Sequence, residues 1–483
     1  MALEEIRKER LKKREMLQQK NLDPYPAHSG RFSAVGDVLK KFLSAGKKKI
    51  TIAGRIMAKR EHGGSTFLDL ADGSGKIQLY LKKDILGENY DLAVETLDIG
   101  DFLYIEGKPF KTKKGEPTIE VSRWTMLAKS LRPLPEKWHG LQGVEERFRK
   151  RYLDLLMNED VSRRFKFRTE LTQAVREFYI KNGFLEVETP IFHPIPGGAL
   201  ARPFKTHHNA LDLNLYLRIA KELYLKRLLV GGLEKVFEIG KDFRNEGIDA
   251  THNPEFTMLE SYAAYWDEED MMKSVEALFL ALAKKFGSKG EVEYDEKKIK
   301  FKAPFARTTF KSLLSRYAQV TVYDRESKES LRTRARQLGI ETDEFVSKGK
   351  IADEIYKKVC RPHLVQPTFV TNHPVDISPL SKKAEKLDEV RRFQLVIGGM
   401  EMTNGFSEIN DPLDQRARFQ EQEKLHGSGD IEAHRIDEEY IEALEYGMPP
   451  AAGVGIGIDR LVMLFTDTKN IREVVLFPTM RPK

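Results

Sequence analysis

From residue 453 the chain reads Gly453-Val454-Gly455-Ile456-Gly457-Ile458-Asp459-Arg460, followed by Leu461-Val462-Met463-Leu464. Alternate side chains of a strand share a face, so glycines two apart strip that face bare and let a flat ligand or a second backbone come close. The apolar run behind them opens a helix. The spacing is not that of the dinucleotide fingerprint, and no Walker sequence occurs, so any nucleotide must be held by another route.

A second constellation begins at Val236-Phe237-Glu238-Ile239, reaches Phe243-Arg244-Asn245-Glu246, crosses a polar loop through His252, and resumes at Pro254-Glu255-Phe256-Thr257-Met258-Leu259-Glu260-Ser261-Tyr262. The pattern predicts two strands joined by a long loop. Arg244 and Glu246 share a face of the first, and Phe256, Met258, Glu260 and Tyr262 share a face of the second. Guanidinium, carboxylate and ring together can clamp a phosphate, accept a hydrogen bond from an exocyclic amine and stack on a purine. They equally suit a structural ion pair on an amphipathic sheet.

Upstream, Leu211 to Ile219 alternates strictly and Lys221-Glu222-Leu223-Tyr224-Leu225-Lys226 begins a helix. Glu222 at this junction can hold an ammonium group or complement the helix dipole. Downstream, Arg391-Arg392-Phe393-Gln394-Leu395-Val396-Ile397 meets Gly398-Gly399 and continues as Met400-Glu401-Met402-Thr403. A two-residue turn pairs Val396 with Glu401 and brings Gln394 to the same side. Asn404, Phe406 and Glu408 have the opposite parity, so a shared pocket requires a bulge between Glu401 and Asn404, with Gly405 as a plausible aid.

The chain has 483 residues, 40% hydrophobic and 32% charged, which suits two or three domains and excludes a disordered tail. A formal charge of +7 fits an anionic partner such as nucleic acid, and also ordinary solubility. The one cysteine, Cys360, excludes an internal disulfide framework and a cysteine-based zinc site. Charges alternate at the N-terminus where a signal peptide needs an apolar stretch, and no apolar run approaches the roughly 20 residues that span a bilayer, so a cytoplasmic location is expected.

Residues 1–30 are expected as a helical extension that touches RNA phosphates or packs on its neighbour. From Ile50, short strands separated by Asp72-Gly73 and Lys114-Gly115 suggest a small closed β-barrel of the oligonucleotide-binding kind over 31–130. Arg55, Lys59 and Arg60 supply charge there, Phe67 a ring for stacking, and Gln78 an amide for base edges. A linker over 131–145 includes Arg132-Pro133-Leu134-Pro135. Residues 146–483 form one large α+β domain with a charged helical insertion at about 310–360.

Glu186-Val187-Glu188-Thr189-Pro190, the Phe243-Arg244-Asn245-Glu246 loop-strand and the Gly453–Arg460 strand-helix resemble motifs 1, 2 and 3 of class II aminoacyl-tRNA synthetases. With the barrel, Gly197-Gly198-Ala199, Thr206-His207-His208-Asn209 and Asn404-Gly405-Phe406-Ser407-Glu408, nearly the whole chain resembles the bacterial lysyl-tRNA synthetases. The resemblance implies an N-terminal OB-fold anticodon-binding domain, a catalytic domain on an antiparallel sheet, and a homodimer formed partly through motif 1. It also implies lysine, ATP and the lysine tRNA as substrates, with no membrane partner.

By the same resemblance, Arg244 holds the ATP α-phosphate and the lysine carboxylate, Phe256 stacks on adenine, Glu246 lies near the adenine amino group, Arg460 reaches the γ-phosphate and His252 the polyphosphate. The lysine α-amino group meets Glu222 and the Gly198 carbonyl, and its carboxylate also meets Asn404. Its stem runs along Phe406, and its ε-ammonium is taken by Glu408 and Tyr262. Arg60, Phe67 and Gln78 match anticodon readers. One departure stands out: where the family has two glutamates for Mg2+, this chain has Gln394 and Glu401, and a neutral amide oxygen is the weaker ligand for a hard cation.

Three competing readings remain: an aspartyl- or asparaginyl-tRNA synthetase, disfavoured by Glu222 and Glu408; a protein that transfers a lysine-like group to another protein, disfavoured by the barrel; and a catalytically inactive synthetase-like RNA-binding protein, disfavoured by Arg244 and Arg460.

Overall fold

Five strands close into the barrel: β1 (Ile50–His62), β2 (Ser65–Ala71), β3 (Lys76–Lys82), β4 (Phe102–Lys111) and β5 (Pro117–Ala128), in the order β1-β2-β3-β5-β4. Their inward positions, among them Ile52, Leu68, Leu70, Leu79, Leu103, Ile105 and Val121, are fully buried, as period-two alternation demands. The structure is a computed structural model that describes residues 3–482 apart from 43–47, 136–140, 142, 322, 343–345, 386–387 and 428–434. Parts of the linker expected at 131–145 and of the insertion at 310–360 therefore lie outside the described residues. The chain divides into two units, Met1–Gln142 and Gly143–Lys483.

In the first unit, α1 (Leu3–Gln19) spends its basic groups on protein. Arg10 is buried and donates to the carbonyls of Ser130, Arg132 and Ile99 at 3.0–3.1 Å, while Lys13 pairs with Asp98 at 2.8 Å. Two other basic residues correct the sequence reading. A bulge between Ile56 and Ala58 shifts the parity of β1, so Lys59 lies opposite buried Leu68 and donates to Val94 O and Leu97 O at the end of α2 (Glu88–Thr96). Arg55 lies over the Phe102 ring at 4.1 Å and donates to Gly100 O. Both cations are thus bonded to carbonyls of their own unit.

The second unit is built on an eight-stranded sheet: β6 (Leu185–Glu186), β7 (Lys235–Phe243), β8 (Glu255–Ala264), β9 (Ala306–Thr309), β10 (Thr368–Pro374), β11 (Glu389–Ile397), β12 (Met400–Ser407) and β13 (Ala451–Gly457), ordered β9-β10-β11-β12-β13-β8-β7-β6. The six inner strands are antiparallel, and each edge strand is parallel to its neighbour. On one face α3 (Glu159–Lys181), α5 (Glu268–Phe286) and α7 (Ile458–Phe465) bury Leu171, Val175, Leu278, Phe279, Leu461 and Val462 against Phe237, Leu259, Phe393, Val454 and Ile456. The other face carries Glu238, Glu260, Tyr262 and the glycines of β13. Helix α4 (Glu222–Val230) and helix α6 (Glu438–Glu445) close it beside Tyr262.

Helices Phe310–Ala318, Lys328–Gln337 and Lys348–Ile355 stand between β9 and β10 with their own apolar cluster, which includes Phe310, Leu314, Leu331, Ile351 and Cys360. The Cys360 thiol is buried and donates to Leu313 O at 3.4 Å, a core role. Gly398 and Gly399 take φ of 60° and 78°, the left-handed pair that a two-residue hairpin turn requires. Val396 pairs with Glu401, Leu395 with Thr403 and Gln394 with Asn404, so the bulge falls at Met402, between Glu401 and Asn404. Gly405 takes no part in that bulge. A Cβ there would stand 2.6 Å from the Phe393 ring and 2.7 Å from Gly453 O, so the glycine permits close strand packing instead.

Candidate active site

A lattice of buried ion pairs fixes the residues that lead into α4. Arg218 Nη1 donates to Glu238 Oε1 at 2.6 Å, Lys221 Nζ to Asp242 Oδ2 at 2.7 Å, and the backbone and hydroxyl of Thr189 to Glu238 Oε2 at 3.0 and 2.6 Å. Glu260 accepts from the Lys221 backbone at 3.1 Å and from the Tyr262 hydroxyl at 3.2 Å. Burial pushes the Glu260 carboxyl up to about 7. The Thr189-Pro190 segment, the β7–β8 pair and the start of α4 are thereby locked to one another.

The first turn of α4 delivers Glu222 into the same pocket as Glu408, at the end of β12, and the chain's own Lys226 lies between them. Its buried ammonium pairs with both carboxylates and stands 5.4 Å from the Phe406 ring and 6.0 Å from that of Tyr440. Glu408 is 1% exposed, and apart from the ion pair of Oε2 with Lys226 neither of its carboxylate oxygens has a hydrogen-bond partner. Burial drives its carboxyl well above the usual range, Lys226 opposes that shift, and Glu222 adds to it. Gly453 makes room: a Cβ would collide with the Tyr262 ring and with Glu408 Oε1. Gly198, at φ +88°, brings its backbone against α4, where a Cβ would lie 3.1 Å from Glu222 Cβ. Arg392 Nε donates to Asn404 Oδ1 at 2.8 Å, which fixes the amide and leaves its NH2 group to donate elsewhere.

Along the same sheet face, the Arg244 guanidinium lies 5.0 Å from the Phe256 ring and its backbone N–H donates to Pro254 O at 2.9 Å. A Cβ on Gly455 would make only ordinary contact with Met258, and one on Gly457 would meet no atom closer than 3.7 Å, so these two glycines leave open floor where Gly453 does not. Arg460 donates to Glu401 O at 2.8 Å, and its Nη2 is 3.4 Å from His252 Nε2. Burial lowers the Arg460 pKa, an effect offset by Glu401 and reinforced by the positive charges of Arg361 and Arg244. His252 is held by Asp249 at 2.8 Å.

Glu246 departs from the expected geometry. β7 ends at Phe243, so Glu246 does not share a strand face with Arg244 and sits exposed in the following loop. Gln394 and Glu401 do face each other, but the Gln394 NH2 donates to Glu401 Oε2 at 3.1 Å and its Oε1 accepts from the Tyr356 hydroxyl at 3.1 Å. Arg361 stands 3.8 Å from the same Glu401 oxygen. The pair thus offers a cation one carboxylate, already beside a guanidinium. Among the described residues, no group of three or more His, Cys, Asp or Glu converges as a metal site.

On the barrel, Arg60 lies directly across from Phe67, and Phe67 across from Tyr80. The Phe67 and Tyr80 rings stack at 4.9 Å, with His62 at 6.4 Å from Phe67 and Phe110 at 5.9 Å from Tyr80. Gln78 shares this face and accepts from Thr118 at 3.0 Å, while Arg60 pairs with Asp69 at 2.8 Å.

Sequence reasoning overlooked Lys226, Arg361, Tyr356, Arg392 and the accepting role of Glu260. Only Lys226 carried a local signal, its i,i+4 spacing from Glu222 on a helix; the others meet the site through strand pairing or the inserted helices. Among the described residues, no helix is long and apolar enough to cross a membrane.

Residues 143–481 match the family model for class II tRNA synthetases (D, K and N), and residues 50–127 match the OB-fold nucleic acid binding domain. The chain is 48% identical to the lysine–tRNA ligase of Moorella thermoacetica, over 98% of this chain and 97% of that one. It is 49% identical to the lysine–tRNA ligases of Carboxydothermus hydrogenoformans and Syntrophomonas wolfei, over 100% of this chain and 99% and 98% of theirs. With barrel, sheet and motifs all in register along its length, this chain belongs to the class II tRNA synthetases of the D, K and N group.

Proposed function

We propose that the protein is a lysine–tRNA ligase: it activates L-lysine with ATP and transfers the lysyl group to the 3′ end of the lysine tRNA. The observation that carries this reading is the buried Glu408 Oε1, a carboxylate oxygen without a partner at the base of a pocket walled by Glu222, Tyr262 and Phe406. A buried charged acceptor demands a donor, and a substrate ammonium meets that demand. Lys226 adds a positive charge, but two carboxylates outnumber it, so the pocket rejects the anionic side chain of aspartate.

In this reading the lysine ε-ammonium binds Glu408 and Tyr262, the stem lies along Phe406, and the α-amino group meets Glu222 and the Gly198 carbonyl. The free NH2 of Asn404 and the Arg244 guanidinium hold the lysine carboxylate. Phe256 stacks on the adenine, Arg244 also reaches the ATP α-phosphate, and Arg460 with His252 takes the polyphosphate. The ionised carboxylate attacks the α-phosphorus, pyrophosphate leaves in line, and the tRNA hydroxyl then displaces AMP. No protein nucleophile is needed, since positioning and charge neutralisation supply the catalysis. Exposed Glu246 reaches the adenine amino group only if its loop folds over the nucleotide.

Enzymes of this class are ATP-dependent and generally use Mg2+, which arrives with ATP as part of the substrate. Gln394 and Glu401 fit a protein-held ion poorly, for the amide nitrogen faces the carboxylate. Arg361 stands where it can share the phosphate charge with Arg460. The stacked rings of the barrel, with Arg60 and Gln78, form a platform suited to anticodon bases. Ile180, Leu185, Ile191, Phe192, Leu211 and Leu213 are exposed around motif 1, an apolar surface suited to homodimerisation.

Pyrophosphate exchange across the twenty amino acids should proceed with lysine far above the rest; preference for another amino acid overturns the reading. Glu408→Gln should lower kcat/KM for lysine by about 10²–10³-fold, a few kcal/mol, with little change in ATP affinity; equal loss of both contradicts the assignment. Gln394→Glu should lower the Mg2+ concentration needed for half-maximal exchange, and an unchanged requirement would defeat the poor-site argument. Phe67→Ala should weaken tRNA binding by about 1–3 kcal/mol while leaving exchange intact; unaltered tRNA affinity removes Phe67 from the platform. Sedimentation equilibrium at micromolar concentration should return twice the chain mass, and a monomer would refute the dimer.

A further inference from the structure

We propose that Lys226 is a positioning residue whose ammonium keeps Glu222 and Glu408 ionised together, so that the pocket presents one uncompensated negative charge to the substrate's side chain. The inference rests on the lysine reading of this pocket. Its basis is geometric: one fully buried ammonium on the second turn of α4 pairs with a carboxylate of its own helix and with another from the end of β12. The triad of two carboxylates and one ammonium carries a net charge of minus one.

Two adjacent buried carboxylates without a cation behave differently. Like charges in a low-dielectric site cannot both ionise, so the pair retains a proton, and that proton occupies an oxygen the substrate needs. Lys226 replaces the proton with a fixed positive charge. Its charged form is favoured by Glu222 and Glu408, and burial alone opposes it. Glu408 Oε2 then faces Lys226 while Oε1, over Gly453, stays free for the incoming ammonium.

The other groups that face the triad are Glu260 and Tyr262 on β8, Tyr440 on α6 and Arg392 on β11. Glu260 is already bonded to the Lys221 backbone and the Tyr262 hydroxyl, and Arg392 to Asn404 and Ser378. Neither supplies the cation that Glu408 lacks if Lys226 is removed. The sign of the pH effect follows: without Lys226, Glu408 or Glu222 must shed a proton before lysine binds, so binding improves as pH rises. With Lys226 present that step is removed for the pair, and the pH dependence that remains is that of Glu260, whose carboxyl burial pushes up to about 7.

The test compares Lys226→Met and Lys226→Arg with the unmodified enzyme in lysine-dependent pyrophosphate exchange from pH 6 to 8.5. Lys226→Met should lose at least ten-fold in kcat/KM for lysine at pH 7 and regain it at close to ten-fold per pH unit. Lys226→Arg should keep the profile of the unmodified enzyme, and KM for ATP should hold in both. A Met variant whose profile runs parallel to that of the unmodified enzyme overturns the proposal whatever its overall loss, because a purely structural role lowers the curve without tilting it. Calorimetry needs no variant: lysine binding to the unmodified enzyme at pH 8, above the point at which Glu260 titrates, in buffers of different ionisation enthalpy, should release no protons, and release of about one per site overturns the proposal. If the unmodified enzyme prefers another amino acid, the lysine reading has failed instead.

Discussion

Everything in the catalytic unit turns on moving charge out of water and pairing it there. Arg218, Lys221 and Lys226 enter the interior within nine residues of chain, each matched by Glu238, Asp242, Glu222 or Glu408. Desolvating such groups costs several kcal/mol apiece, which close geometry must offset. Such pairing contributes less to net stability than to uniqueness, since any other packing of α4 strands an ion without its partner. The sheet and the helix are thereby held in a single relation, and the two acidic walls of the pocket inherit that precision.

The sheet divides its labour between faces. Val454 and Ile456 sink into the main core with Phe237 and Leu259, while Gly453, Gly455 and Gly457 look the other way. The three glycines are not equivalent. The space at Gly453 is taken by Tyr262 and Glu408, whereas Gly455 and Gly457 keep open ground beside Met258 and Arg460. On the proposed reading one strand therefore serves both the lysine and the nucleotide, with the guanidinium of Arg460 at the helix start beyond.

Period-two alternation located the barrel, the β7–β8 pair and the glycine strand, and the Gly398-Gly399 turn carried the register of the hairpin down to the bulge. The parity conflict between Glu401 and Asn404 was legible because only an inserted residue resolves it, and Met402 is that residue. What misled was the assumption that alternation continues unbroken. The end of β7 at Phe243 left Glu246 in a loop. Partners such as Arg361 and Tyr356 come from helices far along the chain, and no spacing rule connects them to the strands they meet. The substrate roles themselves came from family resemblance rather than from pattern, as did the significance of Gln394.

The barrel face has one further implication. Arg60 is already paired with Asp69, which Lys76 also approaches at 3.6 Å, so the three groups together bring one positive charge rather than two. Binding at that point exchanges one partner for another and displaces few condensed cations, so the salt dependence of RNA affinity will under-report the contacts made there. On the proposed reading, discrimination on this surface falls to ring stacking and hydrogen bonding, both of which persist at high ionic strength.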